Sequence, residues 1–525
     1  MNEISVESPG CKSAKTKTDT KKQIFCNRPL NMRNVNAVGF DMDYTLAQYK
    51  PETFESLTYK HTVRKLVHNL KYPVELLNWS FNPSYMVRGL VLDKKRGNIL
   101  KMDCHKYVKI AYHGFEELSK DRKVEAYGKF LVSNSFDEPE YALIDTLFSL
   151  AEAYLFAQLV DFCDRNPGSL PSDDYACLYK DVRNAVDMCH RDGTLKQKLA
   201  EDPKRYIHED ESIVPMLKML KESGRATFLV TNSLWDYTSV VMNFICGSGG
   251  VNDSTNFDWL EYFDVVITGR SSFLSENLQL LLAKPNFFQE DNHANLFEVE
   301  PESGVLRNTN NGSPLPQVGN FAAKISTKDN NAHKVFQGGN VSHLYPLLKI
   351  ETSSQILYAG DHIYGDILSS KKTLGWRTML VIPELDKEVQ LLWELRDDCK
   401  KLRSLRNDRD DIEKEMHFNQ SLKSASPDDD TKQKFISKIQ KLEHEREKMR
   451  SDHQEALRKL HQEFHETWGQ LMKTGYQNSR FAHQVKRFAC LYTSQVSNLG
   501  SFSPEKYYTP SEDLMQHEYN SIFES

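Results

Sequence analysis

The 525-residue sequence holds no Cys-x-x-Cys pair. Its nine cysteines (Cys11, Cys26, Cys104, Cys163, Cys177, Cys189, Cys246, Cys399 and Cys490) are scattered. An odd number without metal-ligand spacing argues for reduced thiols in a reducing compartment. No apolar run approaches the ~18 residues that a membrane span needs, so no membrane partner is expected. Basic charge is not in excess: 67 Lys and Arg against 73 Asp and Glu leave a net charge of -6. That balance offers no broad footprint for nucleic acid. The opening stretch carries Lys12, Lys15, Lys17, Lys21 and Lys22 among Ser and Thr but lacks the apolar segment of a secretory signal. Its acids, Glu3, Glu7 and Asp19, are foreign to an organellar transit peptide. Residues 1–30 read as a disordered basic arm, and cytoplasm is the default location.

What is present is a globular composition, 39% hydrophobic and 27% charged, long enough for two or three structural units. The chain is organised around Val35-Asn36-Ala37-Val38-Gly39-Phe40-Asp41-Met42-Asp43-Tyr44-Thr45. Side chains on a strand alternate faces, so Asp41 and Asp43 can face one site where an apolar strand runs out. Like charges this close raise one another's pKa and call for a cation or a donor. The pair suits a carboxylate nucleophile, a neighbouring general acid/base and a bound metal. Equally, this stretch alone could be a strand followed by an acidic turn.

Four further apolar runs read as buried strands: 226–230, ending in Thr231-Asn232-Ser233; 263–269; 355–361, continuing to Gly365-Asp366; and 377–382, stopped by Pro383. The Thr231 to Ser233 ending converges hydroxyl, amide and backbone donors, which suits phosphate oxygens. Gly360 and Gly365 allow a tight turn that presents Asp361 and Asp366 at a strand end. Strands alternating with helices predict an α/β fold with a doubly wound parallel sheet. Ligands in such sheets sit beyond the carboxyl ends of the strands, where Asp41, Asp43, Thr231, Asp361 and Asp366 all fall.

The core is expected over 31–50 and 220–384. The long stretch between its first two strands, 51–219, cannot be a loop and reads as an inserted cap or substrate region. Helices are expected there at 53–70, 140–162 and 175–189, with a hairpin formed by 88–93 and 99–102. Arg183, Asp187 and His190 share one face of the third helix, Gly193 ends it, and Lys196 follows. That face is either a solvated ion pair or a binding face for an anionic, hydrogen-bonding ligand. Beyond residue 384 the composition turns charged and helical. Near-heptad apolar positions from Phe435 to Leu471, interrupted by Arg446 and His453, predict an antiparallel helical hairpin over 385–475, its first helix at 385–405. Residues 476–525 form a tail of unread role.

Asp41-Met42-Asp43-Tyr44-Thr45-Leu46, Thr231-Asn232-Ser233 and Gly360-Asp361-His362-Ile363-Tyr364-Gly365-Asp366 together resemble the haloacid dehalogenase superfamily. More closely, the chain resembles the cytosolic purine 5'-nucleotidase family and its group of 5'-nucleotidase domain-containing proteins. The similarity runs from about Phe25 into the C-terminal tail. It implies a dehalogenase-like Rossmannoid core with Asp41 as nucleophile and Asp43 as the acid/base that protonates the leaving ribose oxygen and then activates water. It implies Mg²⁺ held by Asp41, the backbone carbonyl of Asp43, and Asp361, with Asp366 in support. Thr231 and Asn232 would hold the phosphoryl group, together with Lys284 of Ala283-Lys284-Pro285-Asn286-Phe287-Phe288. In the family that lysine closely follows its strand; here residues 270–282 intervene after Gly269. Phe148 matches an aromatic that stacks on the nucleobase, and Arg183, Asp187, His190 and Lys196 match the substrate-binding helix. Ser149 stands where the purine enzyme carries an amide, and Arg191 replaces an aromatic. The second Asp favours phosphoryl transfer over dehalogenation, because only a phosphate ester needs its leaving alkoxide protonated.

The expected activity is a Mg²⁺-dependent 5'-nucleotidase acting on nucleoside monophosphates through an aspartyl-phosphate, assembled as dimers or tetramers like its relatives. Two alternatives stay open: a phosphatase or phosphotransferase for another small phosphate ester, and a weakly active interaction protein built on the helical hairpin.

Overall fold

The computed structural model describes residues 23–128, 140–247, 257–269, 287–288, 295–309, 335–426 and 428–511. A ten-stranded sheet crosses the molecule in the order Ile24–Cys26, Leu491–Thr493, Arg377–Val381, Ile356–Gly360, Ala37–Phe40, Ala226–Val230, Val265–Thr268, Val335–Gly338, Leu296–Val299, Leu306–Asn308. From Leu491–Thr493 to Val335–Gly338 every pairing is parallel, and the flanking strands run antiparallel. The fold is mixed α/β with a largely parallel central sheet.

Strands buried on both faces read as continuous apolar runs, and alternate residues fill different cores. Val38, Phe40, Leu229, Leu357 and Ala359 face one core, covered by the helices Ile213–Glu222 and Trp235–Cys246. Ala37, Phe228, Val230, Ile356 and Tyr358 face the other, beneath the helix Val341–Leu348 and Trp376. Gly39 is needed for this packing, because a Cβ there would lie 2.1 Å from the Phe228 ring. Phe40 pairs with both Ala359 and Leu229, so three adjacent strands end level and deliver Asp41, Asp361 and Thr231 to one edge.

Between the first two core strands the chain leaves the sheet and builds a helical layer beside a five-stranded antiparallel sheet. The expected hairpin is there, with Val91 opposite Leu100 and Asp93 opposite Asn98. The helix expected at 140–162 is corrected: Tyr141–Ile144 is a strand paired with Leu90–Asp93, and the helix is Ser149–Arg165. Its apolar residues suit either state, and an open strand edge at Leu90–Asp93 decides. The excursion closes where Lys50 N–H donates to Tyr206 and His208 N–H donates to Gln48, each at 2.8 Å.

Two long helices, Arg396–Ala425 and Asp429–Phe464, pack antiparallel, with Lys438 paired to Glu415 at 2.9 Å. The single helix expected at 385–405 is instead two, Leu385–Glu394 and Arg396–Ala425, the second running 20 residues past 405. His453 does not interrupt the seam: it is buried, stacked on Tyr476 at 5.0 Å, and hydrogen-bonded to its hydroxyl at 3.0 Å. The returning chain binds the rest together. Glu388 accepts from Leu471 N–H at 2.9 Å, and buried Lys101 donates to the Trp468 carbonyl at 2.5 Å. Leu491–Thr493 then joins the central sheet, so the tail completes the fold. All described cysteines are free thiols, and no described helix is long and apolar enough to cross a membrane.

Candidate active site

Asp41, Asp361 and Asp366 converge at the level strand ends, all buried, with one carboxylate oxygen from each within 4.8 Å of the others. Asp41 is anchored through its backbone, its N–H donating to Ala359 at 2.9 Å. Asp366 reaches the cluster because Gly360 has no side chain; a Cβ there would lie 2.5 Å from the Asp366 side chain. Burial pushes the Asp361 carboxyl up to about 8, Asp366 adds to the rise, and Arg88 opposes it. Carboxylates gathered and desolvated in this way fit a hard divalent cation, which would supply the missing positive charge.

Arg88, fully buried, braces the cluster from behind. It donates to the Asp361 carbonyl at 3.0 Å and to Glu384 at 2.8 Å, tying the segment that carries it to two strand-end loops of the central sheet. Thr146 Oγ1 adds a long contact to Asp361 Oδ2 at 3.5 Å.

Asp43 stands beside the cluster. Its Oδ1 accepts from Tyr49 Oη at 2.5 Å and its Oδ2 from Ser233 Oγ at 3.0 Å. The turn that aims it passes through Tyr44 at φ +54°, a left-handed conformation that costs about 1–2 kcal/mol in an ordinary residue. The turn is held by Leu46 and Ala47 N–H, which donate to Met42 at 3.0 and 2.9 Å. Thr45 Oγ1 is buried there without a hydrogen-bond partner among the described residues. Thr231 is buried, its Oγ1 accepting from Ser233 N–H at 3.1 Å, while Asn232 is exposed.

The cap residues meet this edge. Phe148 packs against Tyr44 at 4.8 Å, and the His190 ring lies 6.3 Å from it. Arg183 pairs with buried Glu152 at 2.9 Å and with Asp187 at 3.3 Å. Lys196 Nζ lies 5.6 Å from the centre of the Tyr237 ring. Burial, aided by Arg183, lowers His190 to about 4, so its imidazole is neutral near pH 7. Asp41, Asp361 and Asp366 thus share one buried cluster, Asp43 is held beside it by Ser233, and Thr231, followed by Asn232, ends a level neighbouring strand. Phe148 packs on Tyr44, His190 meets Phe148, Lys196 lies over Tyr237, and Arg183 and Asp187 pair on the helix that carries His190. Lys284 and residues 270–282 lie outside the described residues. Sequence reading did not single out Tyr49, Tyr237, Ser233 or Glu152 as site residues. Ser233 ends the quoted Thr-Asn-Ser motif and could have been found there; the others carry no local signal.

Fold and site define a mixed α/β protein with a largely parallel central sheet and a buried carboxylate cluster at the carboxyl ends of its strands. A family model described as the 5' nucleotidase family matches residues 24–520, and the chain belongs to that family. It is a phosphoric monoester hydrolase. A 5'-nucleotidase domain-containing protein of Dictyostelium discoideum is 26% identical over 95% of this chain and 75% of its own length. Human 5'-nucleotidase domain-containing protein 2 is 27% identical over 94% of this chain and 85% of its own. The rat protein of the same name is 26% identical over 94% and 80%.

Proposed function

We propose that this protein is a Mg²⁺-dependent 5'-nucleotidase with a haloacid-dehalogenase-type core, cleaving nucleoside 5'-monophosphates to nucleoside and phosphate. The convergence of Asp41, Asp361 and Asp366 at level strand ends, with Asp43 alongside, carries the reading. Asp41 attacks phosphorus. The bond to the ribose 5'-oxygen breaks, and that oxygen keeps the electron pair and takes a proton from Asp43. Water then attacks the aspartyl-phosphate and gives a proton to Asp43, which releases phosphate and restores the Asp41 carboxylate. Magnesium, held by Asp41, the Asp43 carbonyl and Asp361 with Asp366 in support, would offset charge on the phosphoryl oxygens. Thr231 and Asn232 hold the phosphoryl group, with Lys284 as a third contact from the family resemblance. Phe148, Arg183, Asp187, His190 and Lys196 bind the nucleoside side.

The test is phosphate release from IMP, GMP, AMP and pyrimidine monophosphates with and without Mg²⁺. Turnover that disappears with chelator is expected. Folded protein that releases phosphate from none of them sinks the reading.

A further inference from the structure

Two hydroxyls from different elements hold the Asp43 carboxylate, and they are not equivalent. Ser233 Oγ, 3.0 Å from Oδ2, turns freely about its Cβ–Oγ bond. It can donate to an ionised carboxylate or accept from a protonated one. Tyr49 Oη, 2.5 Å from Oδ1, sits on a rigid, buried ring. That ring stacks on Phe54 at 4.5 Å and meets Tyr44 edge-on at 5.1 Å, and its backbone bridges to Ile207. Tyr49 has one hydroxyl proton, and it goes to Asp43. While Asp43 is ionised, the 3.0 Å contact between Tyr49 Oη and Tyr237 Oη therefore has Tyr237 as donor. The chain of donation runs from Tyr237 to Tyr49 to Asp43, each bond polarising the next.

We propose that Tyr49 is a positioning residue that keeps Oδ1 of Asp43 an acceptor throughout the reaction, so that Oδ2 carries the proton exchanged with the substrate. The inference rests on the function proposed above. With Tyr237 donating to its lone pair, Tyr49 can accept from a protonated Asp43 only if both phenol hydroxyls turn at once. The carboxyl is held in one rotamer, with Oδ2 turned toward the Thr231 to Ser233 strand end. As the ester bond breaks, the leaving oxygen keeps the bonding electrons and takes the proton from Oδ2, and Asp43 becomes a carboxylate. The Tyr49 hydrogen bond then has a charged acceptor and strengthens. An interaction stronger at the transition state than in the bound substrate raises kcat without changing KM.

The experiment compares wild type, Tyr49→Phe and Tyr237→Phe on the nucleoside monophosphates above, with melting curves and a crystal structure of Tyr49→Phe. General acids contribute about 10²- to 10⁴-fold, and losing the orienting donor should forfeit about 10- to 100-fold in kcat, with KM within about threefold. Tyr237→Phe, one bond removed from Asp43, should lose about 2- to 5-fold. A Tyr49→Phe enzyme with unchanged kcat, or with only KM raised, overturns the inference and leaves the nucleotidase reading intact. If wild type turns over no nucleotide, that reading falls and takes the inference with it; with an active wild type, an Asp43 carboxyl left unmoved in the Tyr49→Phe crystal structure overturns the inference alone. If Tyr49→Phe does not fold, Tyr237→Phe decides, and full activity there overturns it.

Discussion

The sheet edge and the cap face hold their residues by different means. Asp41, Asp361 and Thr231 are placed by backbone pairing, since Phe40 is level with both Ala359 and Leu229. Their positions follow from strand register, which a single substitution elsewhere hardly moves. On the cap, Arg183 is held by Glu152 and Asp187, Phe148 by Tyr44, and Lys196 lies over Tyr237. Those positions depend on other side chains. The reacting groups should therefore govern kcat and the cap should govern KM, so the cap can change its ligand preference while the chemistry stays intact.

The largest effect should come from the edge. Asp41→Asn removes the proposed nucleophile, and turnover should fall by roughly 10⁴-fold or more. Retained phosphate release by the purified variant would exclude the covalent route. A second substitution separates placement from chemistry. Gly360→Ala leaves all three carboxylates in the chain but puts a methyl group 2.5 Å from the Asp366 side chain. Overpacking of this kind costs about 1–3 kcal/mol, so activity at fixed Mg²⁺ should drop about 10- to 100-fold. Raising Mg²⁺ should recover part of it. A variant with wild-type activity would show that Asp366 is not held by this approach.

The cap side is probed by Arg183→Lys, which keeps a cation beside buried Glu152 and loses the planar fork. KM for a nucleoside monophosphate should rise about 10-fold with kcat within about twofold. A fall in kcat at constant KM would erase the distinction between edge and cap.

The same contrast explains what was legible beforehand. The strands 37–40, 226–230, 265–268, 356–360 and 377–381 stand out as apolar runs because both their faces are buried. Their carboxyl ends disclosed Asp41, Asp43, Thr231, Asp361 and Asp366. Tyr141–Ile144, Leu491–Thr493 and Ile24–Cys26 are three or four residues long and become strands only because a distant edge pairs with them. Arg88 meets Glu384 across 296 residues and Ser233 meets Asp43 across 190, and no local pattern announces either contact. The face carrying Arg183, Asp187 and His190 was legible as a face, but its buried partner Glu152 was not.

The smallest effect is expected where edge and cap join. Tyr44, at the turn after Asp43, donates its hydroxyl to Glu55, which is buried where the cap begins. The other oxygen of Glu55, Oε2, is buried without a hydrogen-bond partner among the described residues. Burial pushes the Glu55 carboxyl up to about 7, with the Tyr44 hydrogen bond pulling the other way. Its folded pKa thus lies above the ordinary value of 4.5, and the folded state binds more protons between those two limits. The corresponding stability is fully present below pH 4.5 and is lost as the pH rises through 7. The shift corresponds to about 3 kcal/mol. Glu55→Gln stays neutral at every pH and lacks this term. From pH 5 to pH 8, the melting temperature of wild type should therefore fall relative to Glu55→Gln by about 3–6 degrees. A difference that stays flat across that range would mean that Glu55 is ionised in the folded protein, and that the junction between edge and cap carries a buried negative charge.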